Sequence, residues 1–222
     1  MTGQTEWTAV DSYIAGYLLG DDPALSATLA ANAAAGLPEI DVSAAQGKML
    51  HLFARMVGAA RILEVGTLGG YSTICLASAL PAGGRLVTLE LEPHHADVAR
   101  TNIARAGLAD KVDLRVGPAI ELLEGMIAAK EAPFDLVFID ADKPSNTAYL
   151  RAAMALARPG TTIVVDNVVR EGEILDASHP DPRVQGTRAL YEAVAAEPRL
   201  SATVVQTVGA KKWDGFMLAV VD

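Results

Sequence analysis

The chain has little of several residue types that mark particular classes of protein. It has one cysteine in 222 residues, which excludes an intrachain disulfide framework and a zinc site built on cysteines. That residue, Cys75, lies within the apolar run Ile74-Cys75-Leu76, so we expect a buried structural thiol rather than a nucleophile. The four histidines lack metal-ligand spacing, and the pair His94-His95 is expected to begin a helix at the surface. No catalytic role follows for either residue type.

Positive charge is also scarce. With 18 Lys and Arg against 27 Asp and Glu, the formal net charge is −9, which argues against a general nucleic-acid-binding surface. No apolar run reaches the length of a membrane span, and residues 1–10 lack the basic and apolar regions of a secretory signal. These absences predict a cytoplasmic protein without a membrane partner, and they are compatible with a neutral or cationic small ligand.

The chain does contain a regular alternation of short apolar strands and helical segments. We predict parallel strands at 61–66, 85–90, 111–116, 134–139 and 161–165, and helices at 71–79, 94–106, 118–129, 145–157 and 182–196. Two last strand candidates, 201–208 and 215–221, have no helix between them and are expected to form an antiparallel pair. This order predicts an α/β protein with a doubly wound, mostly parallel sheet.

The first 60 residues are helical in pattern and are expected to belong to one domain, 1–222, together with a strand-and-helix core at 61–222. Two helices are predicted at 5–20 and 24–35. A third is expected to begin at Ser43 and to stop at Gly58. Its predicted apolar face consists of Met49, Leu52, Phe53 and Met56.

Acidic residues follow two neighbouring strands of the predicted sheet. The strand 134–139 leads into Asp140, and the strand 161–165 leads into Asp166 and Asn167. Ligands of an open α/β sheet bind beyond the carboxyl ends of its strands, so these side chains are expected to meet, with Lys143 nearby. Three oxygen ligands and an amine suit a site for Mg²⁺ beside a proton acceptor. The alternative is an ordinary turn at each position and a solvated lysine.

The first strand is followed by a glycine-rich turn at residues 66–70. Its glycines allow a tight turn and a close approach of the backbone to a ligand. Glu90 ends the next strand, where a carboxylate can accept both ribose hydroxyls of an adenosine. Because the turn lacks the G-x-G-x-x-G order of diphosphate sites, the pattern favours S-adenosylmethionine over NAD. A solvated Glu90 that merely opens a helix is the alternative.

Several motifs together resemble one known family. They are LEVGTLGGYS at 63–72, TLELEP at 88–93, GPA at 117–119, IDADK at 139–143 and VDNVV at 165–169. In this order they resemble the cation-dependent O-methyltransferases, which include caffeoyl-CoA and catechol O-methyltransferases, over nearly all of residues 38–222. The resemblance implies a Rossmann-like class I S-adenosylmethionine-dependent methyltransferase fold, with a seven-stranded sheet and extra N-terminal helices. It also implies a homodimer, for which the apolar N-terminal helices offer a surface.

The resemblance further implies a role for individual residues. It assigns S-adenosylmethionine to Val42, Glu64, Gly66, Thr67, Ser72, Glu90, Ala119, Asp140 and Asp142. It assigns a divalent cation, Mg²⁺ with Mn²⁺ or Ca²⁺ as alternatives, to Asp140, Asp166 and Asn167. Lys143 would be the base beside the acceptor hydroxyl, with Asp140 sharing the catalytic position. The implied acceptor is a phenolic small molecule with two vicinal hydroxyls, of the catechol, caffeoyl or flavonoid type.

Two departures from the family pattern concern the acceptor. Where animal members carry a glutamate after the C-terminal Asp-Gly pair, this chain has Phe216-Met217-Leu218, and where plant members carry an asparagine it has Glu171. The polar segment 168–185 is expected to pass over the crevice and to select the acceptor. Methylation of a hydroxylated uridine in tRNA, served by Lys48, Arg55, Arg61, Lys211 or Lys212, remains an alternative. Two further classes, an NAD-dependent dehydrogenase and a non-catalytic binding module, are less consistent with the strand-end cluster.

Overall fold

Three helices precede the sheet in the computed structural model, which describes residues 3–222. They are α1 (Gln4–Leu18), α2 (Pro23–Ala34) and α3 (Ala44–Met56). The start of α2 is fixed by Asp22, whose carboxylate accepts hydrogen bonds from the amides of Ala24 and Leu25. Ser43 and Gln46 exchange side-chain and backbone hydrogen bonds in a capping box, which confirms the predicted start of the third helix.

Seven strands form one sheet in the order β3-β2-β1-β4-β5-β7-β6. The strands are β1 (Arg61–Val65), β2 (Arg85–Glu90), β3 (Val112–Val116), β4 (Leu136–Ile139), β5 (Thr162–Asp166), β6 (Leu200–Gly209) and β7 (Lys212–Val221). The connecting helices are α4 (Tyr71–Ala77), α5 (Pro93–Arg105), α6 (Ala119–Ala128), α7 (Asn146–Ala155) and α8 (Pro182–Ala195). The first five strands are parallel, and β7 is antiparallel to both β5 and β6. The predicted architecture is confirmed, with element ends that differ from the prediction by no more than three residues.

The central strands bury both of their faces. In β4, Val137 and Ile139 pack in a cluster with α6, α7 and α8, while Leu136 and Phe138 pack in a second cluster with α3 and α4. Successive side chains of a strand point to opposite faces, so a continuous apolar run is what a doubly covered strand requires.

The buried face of α3 differs from the prediction. The residues that α3 buries are Gly47, Leu50 and Ala54. Leu52 is 43% exposed and Met56 is 78% exposed, so the predicted apolar face was wrong for these two residues. A Cβ on Gly47 would lie 2.8 Å from Cys75 Sγ, and this close approach to α4 selects the helix face that carries small residues.

The order of the strands changes direction between β1 and β4, and this creates a crevice at their carboxyl ends. Gly66 follows β1 there, with a φ of +98°. A Cβ on Gly66 would lie 2.2 Å from the carbonyl oxygen of Asp140. Only glycine therefore allows the two strand ends to come this close. The crevice is where ligands of such sheets bind.

Candidate active site

Two adjoining cavities open at the carboxyl ends of the parallel strands. The large cavity has a volume of about 680 Å³ and lies along the glycine-rich turn and the end of β2. The small cavity, of about 400 Å³, lies between the start of α3 and the β6–β7 hairpin. The residues that line both are Ile40, Asp41, Val42, Asp140, Asn167 and Arg170. Two of the predicted metal ligands, Asp140 and Asn167, thus lie where the cavities meet.

The glycine-rich turn and Glu90 form one wall of the large cavity. Glu90 Oε2 accepts hydrogen bonds from the amides of Thr67, at 3.1 Å, and Leu68, at 2.8 Å. Its Oε1 accepts one from the amide of Glu92, at 3.0 Å, and lies 3.5 Å from His95 Nδ1. Glu90 therefore lines the cavity and also holds the turn in place, while its predicted contact with a ribose stays a prediction.

Glu64 is placed differently from its predicted role. Its side chain is fully buried and is not part of the cavity wall. The carboxylate accepts hydrogen bonds from the hydroxyls of Ser72, Thr73 and Thr88 at 2.6, 2.5 and 2.7 Å. Burial raises the pKa of Glu64 to about 7, although the three hydroxyls lower it. This geometry supports an indirect role, in which Glu64 orients Ser72 at the wall; its direct contact with a cofactor stays a prediction.

The remaining predicted cofactor residues line the large cavity. These are Val42, Gly66, Thr67, Ser72, Ala119, Asp140 and Asp142. Asp142 accepts a hydrogen bond from the Tyr149 hydroxyl and, at 3.2 Å, one from the amide of Ser145. His95 also lines this cavity and is half-buried, so the expectation of a surface position was wrong for it and right for its exposed neighbour His94.

The acidic strand ends and Lys143 converge at the junction of the cavities. Lys143 is 7% exposed, which contradicts the alternative of a solvated lysine, and its Nζ donates a hydrogen bond to Asp140 Oδ1 at 2.8 Å. Asp166 is the last residue of β5 and is 5% exposed. Asn167 has a φ of +57°, and its backbone N–H donates a hydrogen bond to Asp166 Oδ1 at 2.8 Å. The left-handed backbone at Asn167 is a conformation that asparagine tolerates.

This donor set fits a hard divalent cation. Within residues 3–222, no group of three or more His, Cys, Asp or Glu side chains is placed to hold a metal. The cluster described here lies outside that definition, because its third donor would be the side-chain amide oxygen of Asn167. Burial, and then the charge of Asp140, raises the pKa of Asp166 to about 7, while Lys143 opposes the shift. A positive charge between two carboxylates would offset both their repulsion and their burial. Carboxylate and amide oxygens are ligands that Mg²⁺ and Ca²⁺ prefer.

Comparison with known proteins agrees with this geometry. A family model described as O-methyltransferase matches residues 20–220. The chain belongs to the O-methyltransferase family. It is 54% identical over 212 residues to a catechol O-methyltransferase of Mycobacterium tuberculosis, a match that covers 96% of this chain and 94% of the relative.

Solved structures show the same likeness. The O-methyltransferase from Bacillus cereus in complex with SAH superposes with a TM-score of 0.97 at 56% identity, and the match covers 98% of this chain and 99% of that one. TomG from Streptomyces achromogenes, involved in tomaymycin synthesis and solved with SAM, gives a TM-score of 0.96 at 48% identity over 100% of this chain and 99% of its own. The family resemblance and the fold that the motifs implied are therefore confirmed.

In this O-methyltransferase, Lys143 is held by a close contact with α8. Lys143 begins a short 3₁₀ helix, Lys143–Ser145, against which α8 packs. A Cβ on Gly186 of α8 would lie 2.4 Å from the carbonyl oxygen of Lys143. A glycine inside a helix costs stability relative to alanine, so its presence here reflects the space that the Lys143 backbone needs.

The segment 168–185 contributes to the cavities through two arginines. Arg170 lines both cavities, and Arg183 lines the large one. Glu171 lies in neither wall; it is exposed and pairs with Lys212 at 3.3 Å. The chain turns through left-handed conformations at Arg170, Glu171 and Gly172, which leaves Glu171 outside both cavities. A role for Glu171 in the choice of acceptor stays a prediction.

Sequence reasoning missed three residues of this O-methyltransferase site. His95, Gly186 and the half-buried Asp41 owe their positions to packing between distant segments, and no local motif marks them.

Within residues 3–222, every helix is too short or too polar to cross a bilayer.

Proposed function

We propose that this chain is an S-adenosylmethionine-dependent O-methyltransferase that uses a divalent cation to methylate a vicinal dihydroxy aromatic molecule. The observation that carries the proposal is the meeting of the two cavities at Asp140 and Asn167, with Lys143 in the adjoining wall. A cofactor in the large cavity and an acceptor in the small one would face each other across these residues.

The large cavity supports the cofactor assignment. The family relatives solved with SAM or SAH share this fold at about half sequence identity. Glu90 offers Oε1 and Oε2 at the cavity edge, where a ribose diol would donate to them. When bound, S-adenosylmethionine would supply the methyl group carried by its sulfonium sulfur, which leaves as a neutral thioether. The turn at residues 66–70 and Ser72 would hold the methionine part, so that reacting atoms meet in a fixed geometry.

The acidic cluster supports the cation. Asp140, Asp166 and Asn167 would hold it, and when bound it supplies a positive charge that favours the ionised form of two vicinal hydroxyls. Oxygen donors from two adjacent strands restrict the position of the ligand more than a loop would. The requirement for vicinal hydroxyls follows, because a single hydroxyl cannot occupy two coordination positions.

Lys143 is the group placed to take the acceptor proton. Its Nζ lies 2.8 Å from Asp140 Oδ1 and is almost enclosed, so a hydroxyl held at the cluster would lie within hydrogen-bonding reach. The proton would pass from the acceptor oxygen to the lone pair of an uncharged Nζ, the oxygen would bond to the methyl carbon, and the bond between that carbon and the cofactor sulfur would break. Val42 and Ile40, which line both cavities, would exclude water from this point.

The structure offers less support for a tRNA acceptor. Of the five basic residues that could serve it, Arg61 begins β1, so it lies at the amino end of the strands, away from the cavities at their carboxyl ends. Its guanidinium stacks on the ring of Phe134, 5.0 Å from the ring centre. Lys211 donates to the carbonyl of Glu39 at 3.2 Å and Lys212 pairs with Glu171. Lys211 and Lys212 line the small cavity but are engaged by these contacts, so we favour a small acceptor.

The test is methyl transfer by the purified full chain to an isomeric pair of acceptors. Catechol and resorcinol differ in whether their hydroxyls are vicinal, and each would be assayed by mass spectrometry with Mg²⁺ and with EDTA. We expect methylated catechol with Mg²⁺, and product from resorcinol or in EDTA lower by a factor on the order of 100 or more. Equal turnover of the two isomers, or full turnover in EDTA after dialysis, would overturn the proposal. A parallel reaction with tRNA that carries hydroxylated uridine tests the alternative acceptor.

A further inference from the structure

Arg170 has a guanidinium without a protein partner. Its side chain is half-buried, and its Nε is enclosed without an acceptor. Among residues 3–222, no group accepts a hydrogen bond from its guanidinium and no carboxylate lies within 4.0 Å of it. A buried N–H donor that lacks an acceptor is costly, so the enclosed Nε indicates that an acceptor outside the described protein atoms completes this site.

The backbone at Arg170 is strained and firmly held. Arg170 has a φ of +54° and Glu171 a φ of +52°, a left-handed conformation that side chains other than glycine rarely adopt. A single oxygen, Asp214 Oδ1, accepts hydrogen bonds from three backbone amides, those of Val169 at 2.9 Å, Arg170 at 3.0 Å and Gly215 at 2.9 Å. Strain of this kind persists where the surrounding contacts fix the backbone, and it is common at functional sites.

The carboxylates around Arg170 are already engaged. Asp181 is bound by Arg183, whose Nε lies 3.0 Å from its Oδ1 and 2.9 Å from its Oδ2. The pKa of Asp181 is lowered to about 2 chiefly by Arg183, with a smaller contribution from the charge of Arg170. Asp214 Oδ1 is occupied by the three amides. Neither carboxylate therefore explains where the guanidinium is placed.

The position of Arg170 indicates which ligand it meets. Among the described residues that line both cavities, Arg170 is the one with a positive charge, and it follows Asn167 by three residues. An acceptor whose vicinal hydroxyls reached Asp140 and Asn167 would extend along the wall that Arg170 occupies. The planar fork of a guanidinium matches a carboxylate in a bidentate arrangement.

We propose that Arg170 is a specificity-determining residue that binds an anionic carboxylate on the methyl acceptor, so that the preferred acceptors are vicinal dihydroxy aromatic acids. This inference rests on the proposed function and adds the charge of the substrate to it. Lys211 and Lys212 line the same small cavity, but so do six carboxylates, so we assign the preference for an anion to Arg170 and not to the overall charge of the cavity.

The test compares two acceptors of nearly equal shape, 3,4-dihydroxybenzoate and 3,4-dihydroxybenzamide, in the parent chain and in Arg170→Gln, Arg170→Lys and Arg100→Gln. Arg100 lies on α5 with an exposed side chain, so its substitution controls for the loss of one positive charge. In Arg170→Gln we expect kcat/KM for the acid to fall roughly 10- to 100-fold, as for the loss of a charge-assisted pair. The amide should change less than about threefold, and Arg170→Lys should be intermediate.

Three outcomes would overturn the inference. An equal fall for acid and amide would mean that Arg170 supports the structure of the loop. A weaker calorimetric affinity for S-adenosylmethionine in Arg170→Gln would mean that it binds the cofactor carboxylate instead. An unchanged preference between acid and amide would mean that Arg170 does not bind the carboxylate of the acceptor. If the parent methylated catechol but neither of these acceptors, the inference would also fail while the proposed function stood; if it methylated none of the three, the proposed function itself would fail.

Discussion

Asn32 donates a hydrogen bond of 3.0 Å from Nδ2 to Asp41 Oδ1, and this contact ties α2 to the segment that lines both cavities. Asn32 is 3% exposed, and its Oδ1 accepts a hydrogen bond from Asn102 Nδ2 at 3.0 Å. A Cβ on Gly69 would lie 1.9 Å from the same Oδ1. One buried amide thus connects the N-terminal helices, α5 and the glycine-rich turn.

Exchange of the two side chains tests this connection. Asn32→Asp should place two carboxylates against each other, loosen residues 39–42 and weaken S-adenosylmethionine binding roughly tenfold or more. The double variant Asn32→Asp with Asp41→Asn restores a donor opposite an acceptor, so calorimetry should recover most of the affinity. Thr28→Val, which changes a buried residue of the same helix that bonds only to Ala24, serves as the control. Failure of the double variant to recover would contradict a positioning role.

A pair of helical glycines tests the position of Lys143. Gly186→Ala should displace the Lys143 backbone and lower kcat roughly 10- to 100-fold with little change in cofactor affinity. Gly125→Ala is the matched control, because Gly125 lies in α6 and a Cβ added there would meet nothing within 4 Å. That control should stabilise the fold by up to about 1 kcal/mol through helix propensity. Similar kinetics for both variants would show that the contact does not position Lys143.

Glu64 predicts a specific pH dependence of stability. Its folded pKa of about 7 lies above the ordinary value of 4.5, so the folded state holds the proton more tightly than the unfolded state. The stability this contributes is complete below pH 4.5 and is lost as pH rises through about 7. In the parent, urea denaturation at several pH values should show that the free energy of unfolding falls by on the order of 3 kcal/mol as the pH rises through this range. Glu64→Gln should remove this fall. Glu124→Gln, an exposed change on α6, should leave the profile intact, and an unchanged profile in Glu64→Gln would contradict the assignment.

Cation binding can be measured apart from turnover. Asp166→Asn should weaken binding of Mn²⁺ or Mg²⁺, followed by calorimetry, by roughly tenfold or more, because one buried carboxylate is replaced by a neutral donor. Asp97→Ala removes a carboxylate that is 75% exposed and should leave cation affinity unchanged. Equal cation affinity in the parent and in Asp166→Asn would place the cation elsewhere.

Glu90→Gln tests the cofactor end of the site. Glutamine keeps an oxygen to accept the amides of Thr67 and Leu68, so the turn should persist. Loss of the negative charge should weaken S-adenosylmethionine binding roughly 10- to 100-fold, with little effect on the KM of the acceptor. Calorimetry that showed parental affinity would count against a role for Glu90 at the ribose.

The sequence alone determined the architecture and the place of the site. Alternating apolar strands and helices require a doubly wound sheet, because a strand apolar on both faces must be covered on both. The acids after β4 and β5, and the glycine-rich turn after β1, then fall at the carboxyl ends of adjacent strands by topology alone. Local signals were sufficient for these features, since each is contained in a short run of consecutive residues.

Only the tertiary structure decided which side chains of these segments meet and which way they face. Leu52 and Met56 lie outside the core because α3 approaches α4 on the face that carries Gly47. Arg170 lines the cavities and Glu171 does not, because Asp214, 44 residues away in the chain, fixes a strained turn. Close packing and hydrogen bonds between distant segments set these positions, and a pattern of neighbouring residues does not contain that information.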